Sequence, residues 1–214
     1  MVTFLIVRHG FSVSNKDGRY AGQLDIALDE MGRLQAQDVK DYITKNYKID
    51  AIYSSDLIRA VDTAKPTAEK MGLEIKTDKR LRELDVGVWH GLLVSEVKEK
   101  YPQTFAGYRT NRARPEGGET FGEMADRVYE AFEQMASENE GKTLMVATHG
   151  GSIRALRCRL MNLPFEEAEH IGNVPNGSVT TVVYENGSFT IKEIGKNDHI
   201  KNKVSEKQVT SNVL

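Results

Sequence analysis

The sequence predicts an α/β fold whose sheet contains parallel strands, and two observations support this. Short, continuous apolar runs alternate along the chain with segments whose apolar residues recur at helical spacing. Two of these runs, 4–7 and 144–147, are each followed two positions later by a histidine and a glycine. Continuous apolar runs are typical of strands buried on both faces, and the alternation of strand and helix indicates βαβ units.

The first half of the chain shows this alternation most clearly. After the opening strand, Asp29 can cap a helix that runs to about Ile43. Residues 49–53 are predicted to form a second strand, and the polar residues 54–56 can cap a helix that runs through Ala64.

The second half begins with a predicted strand at 73–77, after which the regular pattern breaks. Glycines and prolines interrupt the stretch from Asp85 to Gly118, which we expect to form a lid-like excursion over the sheet edge, with a short helix at 94–100. A helix behind a capping box is then predicted at 120–135 and a strand at 144–148. A second helix is predicted at 151–163, and a hairpin that turns at Asn-Gly is predicted at 179–194.

Length and composition indicate one globular domain over residues 1–214. Of these residues 39% are hydrophobic and 28% are charged, and no run approaches the roughly 20 apolar residues of a membrane helix. A net charge of -2 provides no basic field for nucleic acid. With one cysteine, Cys158, and no predicted signal peptide, the cytoplasm is the expected compartment. Oligomeric state stays open.

Charged and imidazole side chains follow the two matched strands. Arg8 and His9 end the first strand and His149 ends the later one. Because the carboxyl ends of parallel strands meet at one edge of a sheet, these side chains should converge, and Arg59 in the first turn of its helix should reach them. Two guanidinium groups, two imidazoles and free backbone N–H groups suit a compact, multiply charged anion, and phosphate fits best.

These residues could also serve a nucleotide site or a metal site. The sequence contains neither of the glycine-rich nucleotide motifs, so a nucleotide cradle is not expected. Two histidines and a carboxylate could hold a metal ion. However, Arg8 and Arg59 would repel a divalent cation by several kcal/mol at an effective dielectric constant of about 20. The sequence therefore favours histidines that act without a metal.

Without a metal, one histidine must serve as the nucleophile, while the second, charged or nearly so, holds the phosphoryl oxygens. The leaving alcohol then needs a proton from a carboxylic acid. Glu83 is the best candidate, because it lies where the predicted strand and the apolar residues after it give way to the irregular stretch that begins at Asp85. The alternative is that Glu83 is an exposed carboxylate on a surface turn.

In their order along the chain, these residues resemble the histidine phosphatase superfamily, which includes the cofactor-dependent phosphoglycerate mutases. The matching motifs span nearly the whole chain and lie at 5–10 with Asn15, 54–60, 81–83, 117–119 and 148–151. The resemblance implies a three-layer α/β/α sandwich with a mostly parallel central sheet. For the interpretation in which the histidines act without a metal, we expect no other cofactor.

The resemblance assigns a role to each candidate residue. His9 would be phosphorylated, and Glu83 would donate the proton and later act as the base for water. The phosphate pocket that it implies consists of Arg8, Asn15, Arg59, His149 and Gly150. His90 and Phe11 depart from residues common in relatives, which affects expectations about specificity rather than mechanism.

The resemblance leaves a choice between hydrolysis and isomerisation. Mutases resemble one another in a longer insertion that contains adjacent arginines, whereas here the insertion is short and Arg109, Arg112 and Arg114 are spaced. We therefore expect a metal-independent phosphatase that acts on small phosphorylated metabolites through a phosphohistidine. The alternatives are a phosphoglycerate mutase and a non-catalytic phosphate-binding module. The three arginines would either steer anionic substrates or be solvated loop charges.

Overall fold

The computed structural model describes residues 1–203, apart from the side chain of Glu169. These residues form one six-stranded sheet in the order β3-β2-β4-β1-β5-β6. The strands are β1 (Val2–Arg8), β2 (Ala51–Ser54), β3 (Ile75–Thr77), β4 (Thr143–Thr148), β5 (Val179–Glu185) and β6 (Ser188–Lys196). The first four are parallel to one another, and β5 and β6 form an antiparallel hairpin beside β1. The predicted mostly parallel sheet is confirmed.

Helices cover both faces of the sheet. They are α1 (Val13–Asp17), α2 (Glu30–Asn46), α3 (Ile58–Met71), α4 (Val94–Lys100), α5 (Pro102–Gly107), α6 (Phe121–Glu138) and α7 (Gly150–Leu160). The apolar faces of α2 and α3 pack on one side of the sheet, and those of α6 and α7 pack on the other. This arrangement is the three-layer sandwich that the resemblance implied.

The central strand β1 explains the uninterrupted apolar run near the start of the chain. Phe4 and Ile6 join the core under α6 and α7, whereas Leu5 and Val7 join the core under α2 and α3. All four are fully buried, and burial of each such side chain contributes about 1.5–3 kcal/mol. A strand covered on both faces needs apolar residues at every position, so it has no polar alternation.

Local signals set several of the boundaries. Asp29 accepts a hydrogen bond from the backbone N–H of Gly32 at 2.8 Å, and Thr120 forms the predicted capping box with Glu123. The hairpin turns at Asn186 and Gly187, which have φ angles of 51° and 78°. Paired positive φ angles match the type I′ turn that an Asn-Gly pair favours.

Differences from the predicted elements are confined to short segments. The helix α1 has no counterpart among the predicted elements, and the strand predicted at 73–77 is reduced to Ile75–Thr77. The helix predicted at 151–163 begins at Gly150 and ends at Leu160. Elements of three to five residues contain too few positions to show a period, so tertiary contacts decide them.

Residues 85–118 pack onto the loop at 18–22. The backbone N–H groups of Tyr20 and Gly91 bond to the carbonyls of Leu92 and Tyr20, at 2.9 and 2.8 Å. Trp89 and Tyr108 are fully buried and contact the Tyr20 ring. The excursion is therefore a packed cover over the loop that follows α1.

Among residues 1–203, no helix combines the length and the apolar character needed to cross a membrane.

Candidate active site

The two histidines come together because their strands are neighbours. Arg8 pairs with Thr148 at the end of the parallel β1–β4 ladder, and the backbone N–H of His9 donates to the carbonyl of Thr148 at 2.9 Å. The ring centroids of His9 and His149 are 5.2 Å apart, with planes inclined by 59°. The predicted convergence at this sheet edge is present in the structure.

The ring of His9 is oriented by the backbone. Its Nδ1 lies 2.7 Å from the carbonyl oxygen of Gly10. A carbonyl can only accept, so Nδ1 carries the proton and Nε2 keeps its lone pair. Burial, and then the charges of Arg59 and Arg8, lower the pKa of His9 well below its usual value. The imidazole is therefore neutral at neutral pH.

Two buried arginines flank His9. Arg8 donates from Nη1 to the carbonyl of Val174 at 2.6 Å. Arg59 donates from Nη1 to the carbonyl of Leu24 at 2.8 Å and from Nη2 to that of Gly22 at 2.7 Å. Burial lowers the pKa of both arginines to about 10, so both remain charged at neutral pH.

A pocket opens beside these groups, and we call it the cationic pocket. It is lined by Arg8, His9, Ser12, Asn15, Arg19, Ala21, Gly22, Arg59 and Glu83. Three guanidinium groups and one carboxylate give its lining an excess of positive charge. Such a lining suits an anion with several oxygens.

His149 lies fully buried behind this pocket and is not among the residues that line it. Its Nε2 is 2.9 Å from the hydroxyl oxygen of Ser55, and its Nδ1 has no hydrogen-bond partner within residues 1–203. Burial, and then the charge of Arg59, lower the pKa of His149 well below its usual value. The lowered pKa means that the expectation of a charged second histidine is wrong: His149 is neutral at neutral pH. Gly150, the first residue of α7, is also buried and also outside the lining.

Glu83 is 4% exposed, which excludes the alternative of a surface-turn carboxylate. Its Oε1 accepts from the backbone N–H of Leu84 at 2.9 Å, and its Oε2 accepts from that of Gly151 at 3.0 Å. A Cβ atom at position 151 would lie 2.1 Å from Oε1, so glycine there lets α7 approach the carboxylate without displacing it. Arg127 holds the same segment by donating to the carbonyls of Arg82 and Glu83.

Asn15 reaches the pocket from α1. Its Oδ1 accepts from the backbone N–H and the hydroxyl of Ser12, at 3.1 and 2.9 Å. Asn176 donates to the carbonyl of His9 at 2.9 Å and so ties the loop before β5 to the end of β1.

All the residues expected to form the site thus lie in or directly behind one pocket.

Sequence reasoning missed four residues of this region: Ser12, Arg19, Ser55 and Asn176. The position of Ser55 predicts a helix cap, and its hydroxyl does accept from the backbone N–H of Leu57 at 3.3 Å. The contact with His149 joins residues 94 positions apart, which no local pattern reveals. Arg19 and Asn176 lie in loops, where spacing carries little information.

In the part of the chain that the structure describes, no three His, Cys, Asp or Glu side chains converge closely enough to hold a metal ion. The carboxylate that lines the pocket with His9, that of Glu83, accepts hydrogen bonds from two backbone N–H groups.

Comparison with known proteins identifies the family. A sequence model of the histidine phosphatase superfamily (branch 1) matches residues 4–197. Phosphoglycerate mutase-like protein 4 of Arabidopsis thaliana is 34% identical over 202 residues, covering 92% of this chain and 86% of that protein. Phosphoserine phosphatase 1 of Hydrogenobacter thermophilus is 32% identical over 202 residues, covering 94% of this chain and 95% of that protein.

Solved structures agree with this assignment. Bacillus stearothermophilus YhfR superposes with a TM-score of 0.89 at 28% identity, over 94% of this chain and 100% of that chain. A mycobacterial glucosyl-3-phosphoglycerate phosphatase solved with VO3 gives a TM-score of 0.82 at 32% identity, over 91% and 99% of the two chains. Relatives named as phosphatases support the prediction of a phosphoric monoester hydrolase. The chain belongs to the histidine phosphatase superfamily, branch 1, as its motifs predicted.

Proposed function

We propose that the protein is a metal-independent phosphatase that hydrolyses small phosphomonoesters through a phosphohistidine at His9. The observation that carries this proposal is the 2.7 Å contact between Nδ1 of His9 and the carbonyl of Gly10. This contact leaves Nε2 unprotonated on a residue that lines the cationic pocket. A neutral imidazole beside fixed guanidinium groups is a nucleophile placed where a phosphate dianion would bind.

The first step transfers the phosphoryl group to the enzyme. Nε2 of His9 forms a bond to phosphorus while the bond between phosphorus and the ester oxygen breaks. Protonated Glu83 gives its proton to the departing oxygen, so the product leaves as an alcohol. Arg8 and Arg59 remain charged throughout and stabilise the oxygens of the transferring group.

The second step returns the enzyme to its starting state. The carboxylate of Glu83 takes a proton from water as the water oxygen attacks phosphorus. The bond between phosphorus and Nε2 then breaks, which releases inorganic phosphate and restores neutral His9. The unpartnered Nδ1 of His149 and the side chain of Asn15 supply further contacts to the phosphoryl oxygens.

The printed names of relatives support small phosphorylated substrates. They include phosphoserine phosphatases and a glucosyl-3-phosphoglycerate phosphatase. The Arabidopsis relative named mutase-like keeps phosphoglycerate mutase as the alternative. Against a mutase, Arg114 pairs with Glu123 at the surface, and Arg109 donates to the hydroxyl of Tyr108. Arg109 and Arg114 therefore contact different partners and do not form the adjacent arginine pair that is typical of mutases.

A buried, unpaired Cys158 agrees with the proposed cytoplasmic location.

The test compares the wild-type protein with His9→Ala. We expect wild type to release inorganic phosphate from phosphoserine or 3-phosphoglycerate, to become labelled at His9, and to keep its activity in the presence of a chelator. His9→Ala should lose labelling and about 10⁴-fold or more of kcat. The exposed His170→Ala serves as the matched control. Full turnover by His9→Ala, or conversion of 3-phosphoglycerate to 2-phosphoglycerate without phosphate release, would contradict the proposal.

A further inference from the structure

The peptide group between Gly10 and Phe11 is hydrogen-bonded at both of its polar atoms. Its carbonyl oxygen lies 2.7 Å from Nδ1 of His9 and sets the position of the proton on that ring. Its N–H, on the opposite side of the same plane, donates to Oε1 of Gln35 at 2.8 Å. Gln35 does not line the cationic pocket, yet it holds the peptide group that orients His9.

Gln35 lies on the buried face of α2. It is 2% exposed, and Gly32, three positions earlier, shares this face. A Cβ at Gly32 would lie 2.0 Å from the carbonyl oxygen of Phe11, so this face of α2 packs against the loop at residues 10–11. A buried amide is costly unless both its oxygen and its NH2 group have partners.

The partner of the NH2 group fixes which way the amide points. Nε2 of Gln35 donates to the carbonyl of Asn202 at 3.0 Å. Asn202 is held in turn by Oδ2 of Asp38, which accepts from its backbone N–H at 3.2 Å and from its Nδ2 at 3.1 Å. Because a carbonyl can only accept, Asn202 requires the NH2 group on its own side and leaves Oε1 of Gln35 facing Phe11.

The other side of Gly10 is also fixed. Its N–H donates to Oγ1 of Thr63 at 3.0 Å, and that hydroxyl donates to the carbonyl of Arg59 at 2.7 Å. Glycine adopts a wide range of φ and ψ angles, so the peptide plane that follows Gly10 could rotate if its N–H had no partner. The contact with Gln35 opposes this rotation.

A fixed peptide group affects the reactivity of His9. A hydrogen bond at one end of a peptide group polarises the other end, so the contact with Gln35 makes the carbonyl of Gly10 a stronger acceptor. A stronger acceptor holds the proton on Nδ1 and raises the basicity of Nε2.

We propose that Gln35 is a positioning residue that keeps the proton of His9 on Nδ1 by holding the peptide group between Gly10 and Phe11. This inference rests on the proposed function, in which Nε2 of His9 attacks phosphorus. Arg8 and Arg59 are held by carbonyls of other loops. Loss of the Gln35 contact should therefore slow the attack by His9 and leave the binding of the anion unchanged.

The kinetic test compares the rate of phosphorylation with the binding of phosphate. Gln35→Met removes both polar contacts and keeps the length of the side chain. The burst rate with p-nitrophenyl phosphate should fall about tenfold, while the inhibition constant of inorganic phosphate stays unchanged. Gln35→Glu, whose carboxyl group can still accept from the N–H of Phe11, should recover most of the rate. Gln37→Met changes an exposed glutamine of the same helix and should behave as wild type.

Nitrogen chemical shifts of His9, measured by NMR, report the positioning directly. At neutral pH the wild type should have a protonated Nδ1 and an unprotonated Nε2, as should Gln37→Met, whereas Gln35→Met should show a mixture of the two tautomers. A wild-type tautomer in Gln35→Met would overturn the inference. An equal loss of burst rate and of phosphate binding would also overturn it, because such a loss indicates general disruption of the site.

The wild-type protein supplies the test if Gln35→Met does not fold. The amide hydrogen of Phe11 should be protected from exchange with solvent, and exchange at the rate of an unprotected amide would overturn the inference. A failure of the proposed function gives a different result. A His9 tautomer that depends on Gln35, with no release of phosphate from p-nitrophenyl phosphate or phosphoserine by wild type, would support the positioning role and contradict the phosphatase proposal.

Discussion

Backbone groups orient most of the reactive side chains in the site. The carbonyl of Gly10 sets the proton on His9, and two backbone N–H groups hold the carboxylate of Glu83. The carbonyls of Gly22 and Leu24 hold the guanidinium of Arg59. Because these partners belong to strand ends and tight loops, their positions depend on the fold more than on neighbouring side chains.

The proposed role of Glu83 predicts a dependence on the leaving group. In Glu83→Gln the carboxamide cannot donate a proton as an acid, so kcat for an alkyl phosphate such as glycerol 3-phosphate should fall by about 10²–10⁴. p-Nitrophenyl phosphate, whose phenolate leaves without a proton, should lose much less in the first step. Burst kinetics with both esters measure the phosphorylation step separately.

The exposed Glu69→Gln on α3 is the control for that experiment, and it should leave both esters unaffected. An equal loss of phosphorylation rate with the two leaving groups would contradict proton donation by Glu83.

His90 is predicted to position Arg59 indirectly. Its Nε2 accepts from the backbone N–H of Gln23 at 3.0 Å, and the carbonyls on either side of Gln23 hold Arg59. Burial lowers the pKa of His90 despite the opposing charge of Asp85, so this nitrogen is unprotonated at neutral pH. Protonation would turn the acceptor into a donor and break the contact with Gln23.

The activity of wild type should therefore fall on the acid side as His90 gains its proton. His90→Gln, which offers an acceptor that does not ionise, should keep kcat/KM to a lower pH than wild type. The pH profile of kcat/KM measures the effect, and His170→Gln is the exposed control. Superimposable profiles for wild type and His90→Gln would show that His90 has no such role.

At the scale of elements, close approach between helices and strand-end loops sets the geometry of the site. The helix α7 approaches Glu83 so closely that a methyl group at position 151 would overlap Oε1. The start of α2 approaches the His9 loop in the same way, because a Cβ at Gly32 would lie 2.0 Å from the carbonyl oxygen of Phe11. Because glycine has no Cβ, the backbone at these two positions can lie this close to Glu83 and to Phe11.

Gly151→Ala is expected to displace Glu83 and to remove its contact with the backbone N–H at position 151. We expect kcat to fall by about 10²-fold, with a smaller change in KM, because Glu83, the proposed proton donor, moves while the arginines stay in place. Steady-state kinetics on an alkyl phosphate measure this split. Gly172→Ala is the control, since a Cβ there meets nothing within 4 Å. Wild-type kcat in Gly151→Ala would contradict the prediction.

For the molecule as a whole, stability is linked to the histidines that the fold buries. Burial lowers the pKa of His9 and His149 well below the value of about 6.5 that each has in the unfolded chain. As the pH falls below about 6.5, the unfolded chain takes up protons that the folded chain excludes. The free energy of unfolding should therefore hold at neutral pH and decrease toward acid, until the folded pKa values are reached.

Denaturant unfolding at several pH values tests this linkage. Each buried histidine contributes a slope of up to about 1.4 kcal/mol per pH unit. In His149→Asn the free energy of unfolding should depend less steeply on pH between neutral and mildly acidic conditions. This holds whatever the stability of the variant is at neutral pH. The exposed His170→Asn should keep the wild-type slope. Equal slopes in wild type and His149→Asn would contradict the assignment.

Much of the fold and part of the site follow from local patterns in the sequence. The uninterrupted apolar runs predicted β1 and β4 because only strands covered on both faces lack polar alternation. Their shared ending predicted that His9 and His149 would meet, and the resemblance of the ordered motifs predicted the family. Asp29, Thr120 and the Asn186-Gly187 pair marked boundaries correctly, because caps and tight turns depend on residues close together in the chain.

Tertiary structure alone decided the chemistry of the individual groups. Three features arise from contacts between segments far apart in the sequence. They are the neutral state of His149, the hydrogen bond between Glu83 and Gly151, and the Nε and Nη2 nitrogens of Arg154, which have no hydrogen-bond partner within residues 1–203. Helical spacing can place Arg154 on α7, but it cannot show that the packing of α6 buries its charge. Burial and partner geometry set protonation and hydrogen bonding, and both are properties of the packed chain rather than of its order of residues.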